Sequence, residues 1–341
     1  MRPPGLETRA PAKVNLVLRV LRRRADGFHE LETVFQAVSL ADRVRVWTGA
    51  GAREAVSGRT EEGSRSSLGE RDDIVLRVDG PDLGPIESNL AYRAVRRFRD
   101  EIPLEGPVAV HLTKKIPAGA GLGGGSSDAA AVLRCLAVGT GLGPDRRLAD
   151  MAADLGSDVP FFVSGSGRAL GRGRGEVLTT LDALPPAHLV LALPEVHVAT
   201  EEAYAALAKS RRSSPRRESG RGAAVDLIEA GAAVDRVDEG AASLSGARGR
   251  LPGWEDVIRH GRNDFEAVIA SRHPEVEASL VGLRSAGASL ALLSGSGSAC
   301  FGLFGDVRQA RAAAEALSER LGWPFAPVRT LPSMPEVVLV S

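Results

Sequence analysis

The chain has 341 residues, a length that accommodates about two domains, and its 43 lysines and arginines balance 43 aspartates and glutamates. That neutrality leaves no electrostatic footprint for nucleic acid or an anionic membrane as partner. No apolar run approaches membrane-spanning length, residues 1–8 lack the apolar centre of a signal peptide, and the two cysteines, Cys135 and Cys300, sit in apolar segments as buried thiols. A cytoplasmic α+β protein is the expectation.

In chain order, residues 12–20 alternate as a strand, with Val14, Leu16, Leu18 and Val20 on one face and Lys13, Asn15 and Val17 on the other. Asp26-Gly27 is a turn signal, after which residues 29–40 run extended towards a second strand over 43–47. Residues 49–73, rich in Gly, Ser, Arg and Glu, carry too few large apolar side chains to build a core and read as a mobile insertion. Ser88-Asn89 can cap a helix reaching residue 99, and residues 108–113 alternate as a strand. A helix with Leu133, Leu136 and Ala137 on one face follows, then a short helix over 148–155 that Gly156-Ser-Asp-Val-Pro160 interrupts. Residues 188–193 form a near-continuous apolar strand. Residues 209–250, which include Arg211-Arg-Ser-Ser-Pro-Arg-Arg217, read as a second mobile insertion, partly helical over 223–239. Strands at 289–293 and 299–304 flank Ser294-Gly-Ser-Gly-Ser298; a helix over 308–321 and a strand over 336–340 close the chain.

The most informative stretch is Pro117-Ala118-Gly119-Ala120-Gly121-Leu122-Gly123-Gly124-Gly125-Ser126-Ser127. It joins a strand to a helix, and free N–H groups together with the positive end of the helix dipole make such a junction an anion site. The loop lacks the Gly-Lys-Ser/Thr ending of a Walker A loop, so Lys114 and Lys115, which precede it, cannot play that lysine's part. Gly119, Gly121 and Gly124 formally spell a dinucleotide fingerprint, but residues 139–145 form a turn with no strand before it, where that fold needs one. Phosphate is the expected ligand. A valine at Gly124 is expected to obstruct phosphate and to disfavour a positive φ. Asp158 lies in a Gly-Ser-Asp-Val-Pro break, either as a carboxylate facing a cleft or as a turn or N-cap aspartate. Lys13, read alone, is a solvent-facing strand lysine. His111, His188, His197, His260 and His273 share no metal-ligand spacing, and no metal-binding side-chain set is expected.

Three segments resemble the motifs of the GHMP kinases: Ala10-Pro-Ala-Lys-Val-Asn-Leu16, the glycine-serine loop, and Leu292-Leu-Ser-Gly-Ser-Gly-Ser298. Arg24-Ala-Asp-Gly-Phe-His-Glu-Leu-Glu-Thr-Val-Phe-Gln36, Leu155-Gly-Ser-Asp-Val-Pro-Phe-Phe162 and Gly171-Arg-Gly-Arg-Gly-Glu176 are similar to the branch of that superfamily whose acceptor is a diphosphocytidyl alcohol. The resemblance implies two α/β domains, residues 1–162 and 163–341, with the active site in the cleft between them. It implies ATP on residues 117–127, with Ser126 or Ser127 offering a hydroxyl to phosphate or Mg2+. Asp158 becomes the general base, and Lys13 the group that orients Asp158 and the acceptor hydroxyl. For the small-molecule acceptor it implies Asn15, Phe28, His29, Thr200 and Tyr204. His29 and Tyr204 would offer flat partners to a cytosine ring, and Phe28 stands where a tyrosine is usual. Another alcohol acceptor, such as homoserine or mevalonate, is the alternative. A non-catalytic nucleotide sensor is disfavoured by the presence of both Lys13 and Asp158. Oligomeric state is not fixed by these residues.

Overall fold

Two long antiparallel strands, β1 (Gly5–Arg23) and β2 (His29–Thr48), organise the protein. The computed structural model describes residues 5–25, 27–56, 66–143, 145–213 and 253–340. The segment predicted as extended chain followed by a separate strand is one continuous strand, β2. Its register against β1 slips between Pro11 and Ala12, whose partners are Ala41 and Val38, so Ser39 and Leu40 form a bulge. The hairpin can therefore bend and serve both halves of the molecule. A second slip, between Asn15 and Val17, breaks the predicted alternation of β1. Val14, Leu16 and Val17 pack in one core cluster, whereas Leu18 and Val20 pack in another.

After a short helix, α1 (Ala52–Val56), come β3 (Ser66–Arg71), β4 (Ile74–Asp79), α2 (Leu90–Glu101) and β5 (Val108–Thr113). Asn89 caps α2 by accepting the N–H of Ala91. Then follow α3 (Gly124–Gly139), α4 (Arg146–Leu155), α5 (Val159–Val163), β6 (Arg168–Gly173) and β7 (Val177–Thr180). Among the described residues the first sheet runs β3-β4-β5-β2-β1, with β6 pairing the far half of β2 and β7 pairing β6. Helices α2 to α5 bury their apolar sides on it, with Tyr92, Phe98, Leu133 and Phe161 at the centre.

The remaining elements are β8 (His188–Ala192), α6 (Thr200–Ser213), α7 (Trp254–His260), β9 (Arg262–Asn263), α8 (Glu266–Ala270), α9 (Pro274–Ser285), β10 (Leu290–Leu293), β11 (Cys300–Phe304), α10 (Val307–Leu321), β12 (Phe325–Arg329) and β13 (Val338–Val340). The second sheet has the order β10-β11-β8-β12. Alternation along β8 sends Leu189 and Leu191 towards Val14 and Leu16 of β1, and Val190 and Ala192 towards α9 and α10. Layers of helix, sheet, sheet and helix result.

Three expectations need correction. The stretch 49–73 is not a loop throughout: α1 buries Ala52 and Val56 against Trp47, Val75 and Ala109, and β3 adds an edge strand. The second predicted insertion begins inside α6; residues 214–252, including the helix expected over 223–239, lie outside the described residues. A division after Phe162 cuts through the first sheet, because β6 and β7 belong to it, β13 pairs Gly5–Glu7 of β1, and β9 pairs β1 at Val17 and Leu18. Both cysteines are buried as expected, and burial raises both thiol pKa values, Cys135 to about 12.

Candidate active site

The glycine loop lies between the two sheets. Gly119, Gly121 and Gly123 have φ of 71°, 78° and 72°, the left-handed region that favours glycine. Gly123 is the N-cap of α3, so the helix starts at Gly124, earlier than its alanine run suggests. Gly124 has no positive φ that a valine would disfavour; what constrains it is Ile116, whose Cγ2 lies 3.0 Å from where a Cβ would stand. The loop is fastened at several points. Leu122 O accepts the N–H of Lys13 at 2.9 Å, Ala120 O accepts that of Ala299 at 3.0 Å, and Gly121 O accepts the Ser294 hydroxyl at 3.1 Å. The segment Ser294–Ser298, far away in sequence, thus packs directly on the loop. A Cβ on Gly121 would lie 2.2 Å from Ser294 O.

Lys13 is 3% exposed, which overturns its reading as a solvent-facing lysine. Its side chain is enclosed by Phe35, whose ring centroid lies 5.8 Å from Nζ, and by Gly123 of the loop, where a Cβ would stand 3.2 Å from Lys13 Cγ. Its ammonium donates to Asn15 Oδ1 at 2.8 Å and lies 3.6 Å from Asp158 Oδ2. Burial pulls the Lys13 pKa down, and the charge and hydrogen bond of Asp158 push it back up. Asp158 stands at the N-terminus of α5 but makes no side-chain cap bond, so its carboxylate, 28% exposed, is available to Lys13 and to solvent. Asn15 is committed inward. Its Oδ1 also accepts the Gly295 N–H at 2.9 Å, and its Nδ2 donates to Thr33 Oγ1 at 2.8 Å.

Beneath the start of α3 lies a charge cluster that sequence reasoning missed. Lys114, set aside because no Walker lysine precedes its loop, is buried and donates to both Asp42 and Asp128. Asp42 also accepts the backbone N–H groups of Lys115 and Ile116, fixing the entry to the loop. Burial alone would lower the Lys114 pKa, but the two carboxylates carry it above the usual value. Asp128 is raised to about 7, by burial first and by Asp42 next. Its Oδ1 and the Oγ of neighbouring Ser127 are buried without hydrogen-bond partners among the described residues. Ser126, by contrast, faces an open pocket of about 350 Å³ that the loop shares with Leu83, Ser88, Asn89, Leu90 and Ile116. The only advance signal for these pocket residues was the Ser88-Asn89 cap.

Of the other residues expected to meet the acceptor, two come together. His29 and Tyr204 meet, with ring centroids 4.4 Å apart and planes 13° from parallel. The slot expected between them is closed: two rings sandwiching a third stand about 7 Å apart, twice a van der Waals contact. Tyr204 rests edge-on against Phe265, and its hydroxyl pKa is raised to about 12 by burial and then by the charge of Asp158. The His29 pKa is lowered, by burial and then by Arg23 and Arg211. Phe28 is 54% exposed with the Arg174 guanidinium 5.0 Å from its ring centroid. Thr200 Oγ1 lies 3.2 Å from Ser296 Oγ, which brings the start of α6 to the Ser294–Ser298 segment. His197, to which the sequence gives no role, has its Nδ1 3.0 Å from where a Cβ on Gly119 would stand.

A helix-capped glycine loop, a lysine–aspartate pair beside it and a serine-glycine segment closing over it place the chain in a class of small-molecule kinases. Residues 89–166 match the GHMP kinases N terminal domain and residues 241–322 the GHMP kinases C terminal domain. The chain is 40% identical over 312 residues to the 4-diphosphocytidyl-2-C-methyl-D-erythritol kinase of Solibacter usitatus (strain Ellin6076), covering 91% of this chain and 85% of that relative. A crystal structure of 4-(cytidine 5'-diphospho)-2C-methyl-D-erythritol kinase superposes with a TM-score of 0.68 at 35% identity, covering 95% of this chain and 98% of the other. Homoserine kinase from Cytophaga hutchinsonii superposes with a TM-score of 0.64, covering 100% of this chain and 98% of the other, but at 16% identity shares only the fold. The chain belongs to the 4-diphosphocytidyl-2-C-methyl-D-erythritol kinases of the GHMP superfamily.

Proposed function

We propose that this chain transfers the γ-phosphoryl group of ATP to the 2-hydroxyl of 4-diphosphocytidyl-2-C-methyl-D-erythritol, with Lys13 and Asp158 at the reacting centre. The observation that carries the assignment of residues is the 3.6 Å approach of Lys13 Nζ to Asp158 Oδ2 beside the glycine loop. Phosphoryl transfer needs an in-line hydroxyl, neutralised phosphate charge and a proton acceptor. The N–H groups of the loop and of the first turn of α3 hold the phosphates, and the positive end of α3 offsets their charge. Leu83, Leu90 and Ile116 offer apolar contact to the purine.

Lys13, fixed by Asn15, points its ammonium at Asp158 and at the acceptor oxygen. Asp158 takes the hydroxyl proton as that oxygen forms its bond to phosphorus. Buried beside these groups, Lys13 stabilises the negative charge on the acceptor oxygen and the transferring phosphoryl group, while the leaving diphosphate stays on the loop. Mg2+ fits this site. Among the described residues no cluster of three or more acidic, histidine or cysteine side chains is built for a metal. Mg2+ bound with nucleotide needs only one or two protein oxygens, and Ser126, which lines the pocket, would supply one through its hydroxyl. When bound, Mg2+ neutralises phosphate charge.

The acceptor's base lies at His29 and Tyr204, parting the closed stack, while Phe28, Thr200 and Arg174 border the approach. The first catalytic half comprises the first sheet, including β6, β7, β9 and β13, with α1 to α5, and the second supplies β8 and β10 to β12. The protein acts in the cytoplasm. A substrate panel tests the reading: kcat/KM with diphosphocytidyl methylerythritol is expected to exceed that with homoserine or mevalonate by about 10⁴-fold or more, as for a site built on buried polar contacts. Equal or better turnover of either competitor would assign the chain another acceptor.

A further inference from the structure

Asn263 lies in β9, which runs parallel to β1 and pairs with it at Val17 and Leu18, next to the strand segment that carries Lys13 and Asn15. It is 7% exposed, and its amide is in full use. Nδ2 donates to the carbonyls of Leu293 and Gly295, both at 2.8 Å, while Oδ1 accepts the N–H of Phe265 at 2.9 Å. Seizing two carbonyls two residues apart bends the chain at Ser294. The bend turns the Gly295 N–H onto Asn15 Oδ1, the oxygen that also receives the Lys13 ammonium. There is little slack: a methyl group on Gly295 would stand 2.9 Å from Gly121 O and 3.3 Å from Lys13 Nζ.

We propose that Asn263 is a positioning residue for phosphoryl transfer: by clamping residues 293–295 it fixes Asn15, and through Asn15 the Lys13 ammonium that faces Asp158. The inference rests on the role given to Lys13 above. Asparagine suits the position because one short planar group supplies two N–H donors and one acceptor. Aspartate keeps the shape and the bond to Phe265 but turns an oxygen onto two carbonyl oxygens. Serine keeps a single neutral donor. A residue that merely held β9 in place would lower the amount of folded enzyme without discriminating between steps of the reaction.

The test is steady-state kinetics of Asn263→Asp and Asn263→Ser, each made in the parent and in a Lys13→Met background, on samples whose thermal unfolding shows them folded. If aspartate prevents folding, serine alone completes the comparison. In the parent, kcat is expected to fall about 10- to 100-fold with both KM values within about threefold, because an interaction that matters in the transition state has been loosened. In the Lys13→Met background the same change is expected to cost less than about twofold, since residues acting as one unit are not additive. Equal losses in both backgrounds, an effect on KM alone, or turnover within about threefold of the parent would overturn the proposal. If Lys13→Met alone keeps parental turnover, the role of Lys13 fails and the Asn263 proposal falls with it. If Lys13→Met is impaired and the losses are equal, only the Asn263 link fails.

Discussion

At the scale of single residues, the glycines of the loop before α3 are not equivalent. Gly121 combines a φ of 78° with backbone 2.2 Å from its absent Cβ, and that backbone cannot yield without separating the loop from Ser294. Gly124 is helical, and a Cβ there would meet side chains alone, Ile116 at 3.0 Å and Lys114 Nζ at 3.6 Å. Gly121→Ala is therefore expected to cost about 2 kcal/mol or more, as strained positions do, and to weaken ATP binding. Gly124→Ala will cost less than about 1 kcal/mol, because helix propensity offsets part of the crowding. Urea unfolding of the two variants checks this, and equal losses would contradict it. That the glycine run joins a strand to a helix N-terminus was legible in the sequence, but which glycine bears the constraint was not, since that depends on Ser294, remote in sequence. His29 makes a pH prediction. Its folded pKa is lowered, so the unfolded chain binds more protons in the window just below 6.5, and stability falls as pH drops through it. An NMR titration of the ring is expected to give a midpoint below 6.5; one at or above it would contradict the assigned environment.

At the scale of elements, most strands and helices were readable because each carries a local period or a cap. The single strand β2 was not, because its bulge at Ser39 and Leu40 looks like a break when read alone. The regular ends of residues 49–73 were hidden for a different reason: α1 needs only two buried side chains, Ala52 and Val56, and β3 is an edge strand. The seat of α3 also escaped the sequence reading, because Asp42, Lys114 and Asp128 belong to three separate segments. Removing the ammonium there leaves two buried carboxylates facing each other. Lys114→Met is expected to destabilise the fold by about 3–5 kcal/mol, the cost of breaking a buried ion pair from one side. Chemical denaturation at neutral pH measures it, and a loss under about 1 kcal/mol would show that the cluster does not support the helix.

At the scale of the whole molecule, the two-part architecture and the order of motifs along the chain were visible in the sequence. The boundary was not, because β6, β7, β9 and β13 return to the first sheet after the chain has passed Phe162. That return brings Lys13, the glycine loop, Asp158 and Ser294–Ser298 together from four distant stretches. The proposed reaction turns on Asp158 receiving the acceptor's proton. Asp158→Asn preserves shape and removes both the charge and the proton acceptor. With diphosphocytidyl methylerythritol and ATP, kcat of the folded variant is expected to fall about 10²- to 10⁴-fold, the usual contribution of a positioned base, while the KM for ATP stays within about threefold. Turnover within about threefold of the parent would contradict the account, since an amide cannot replace a working base.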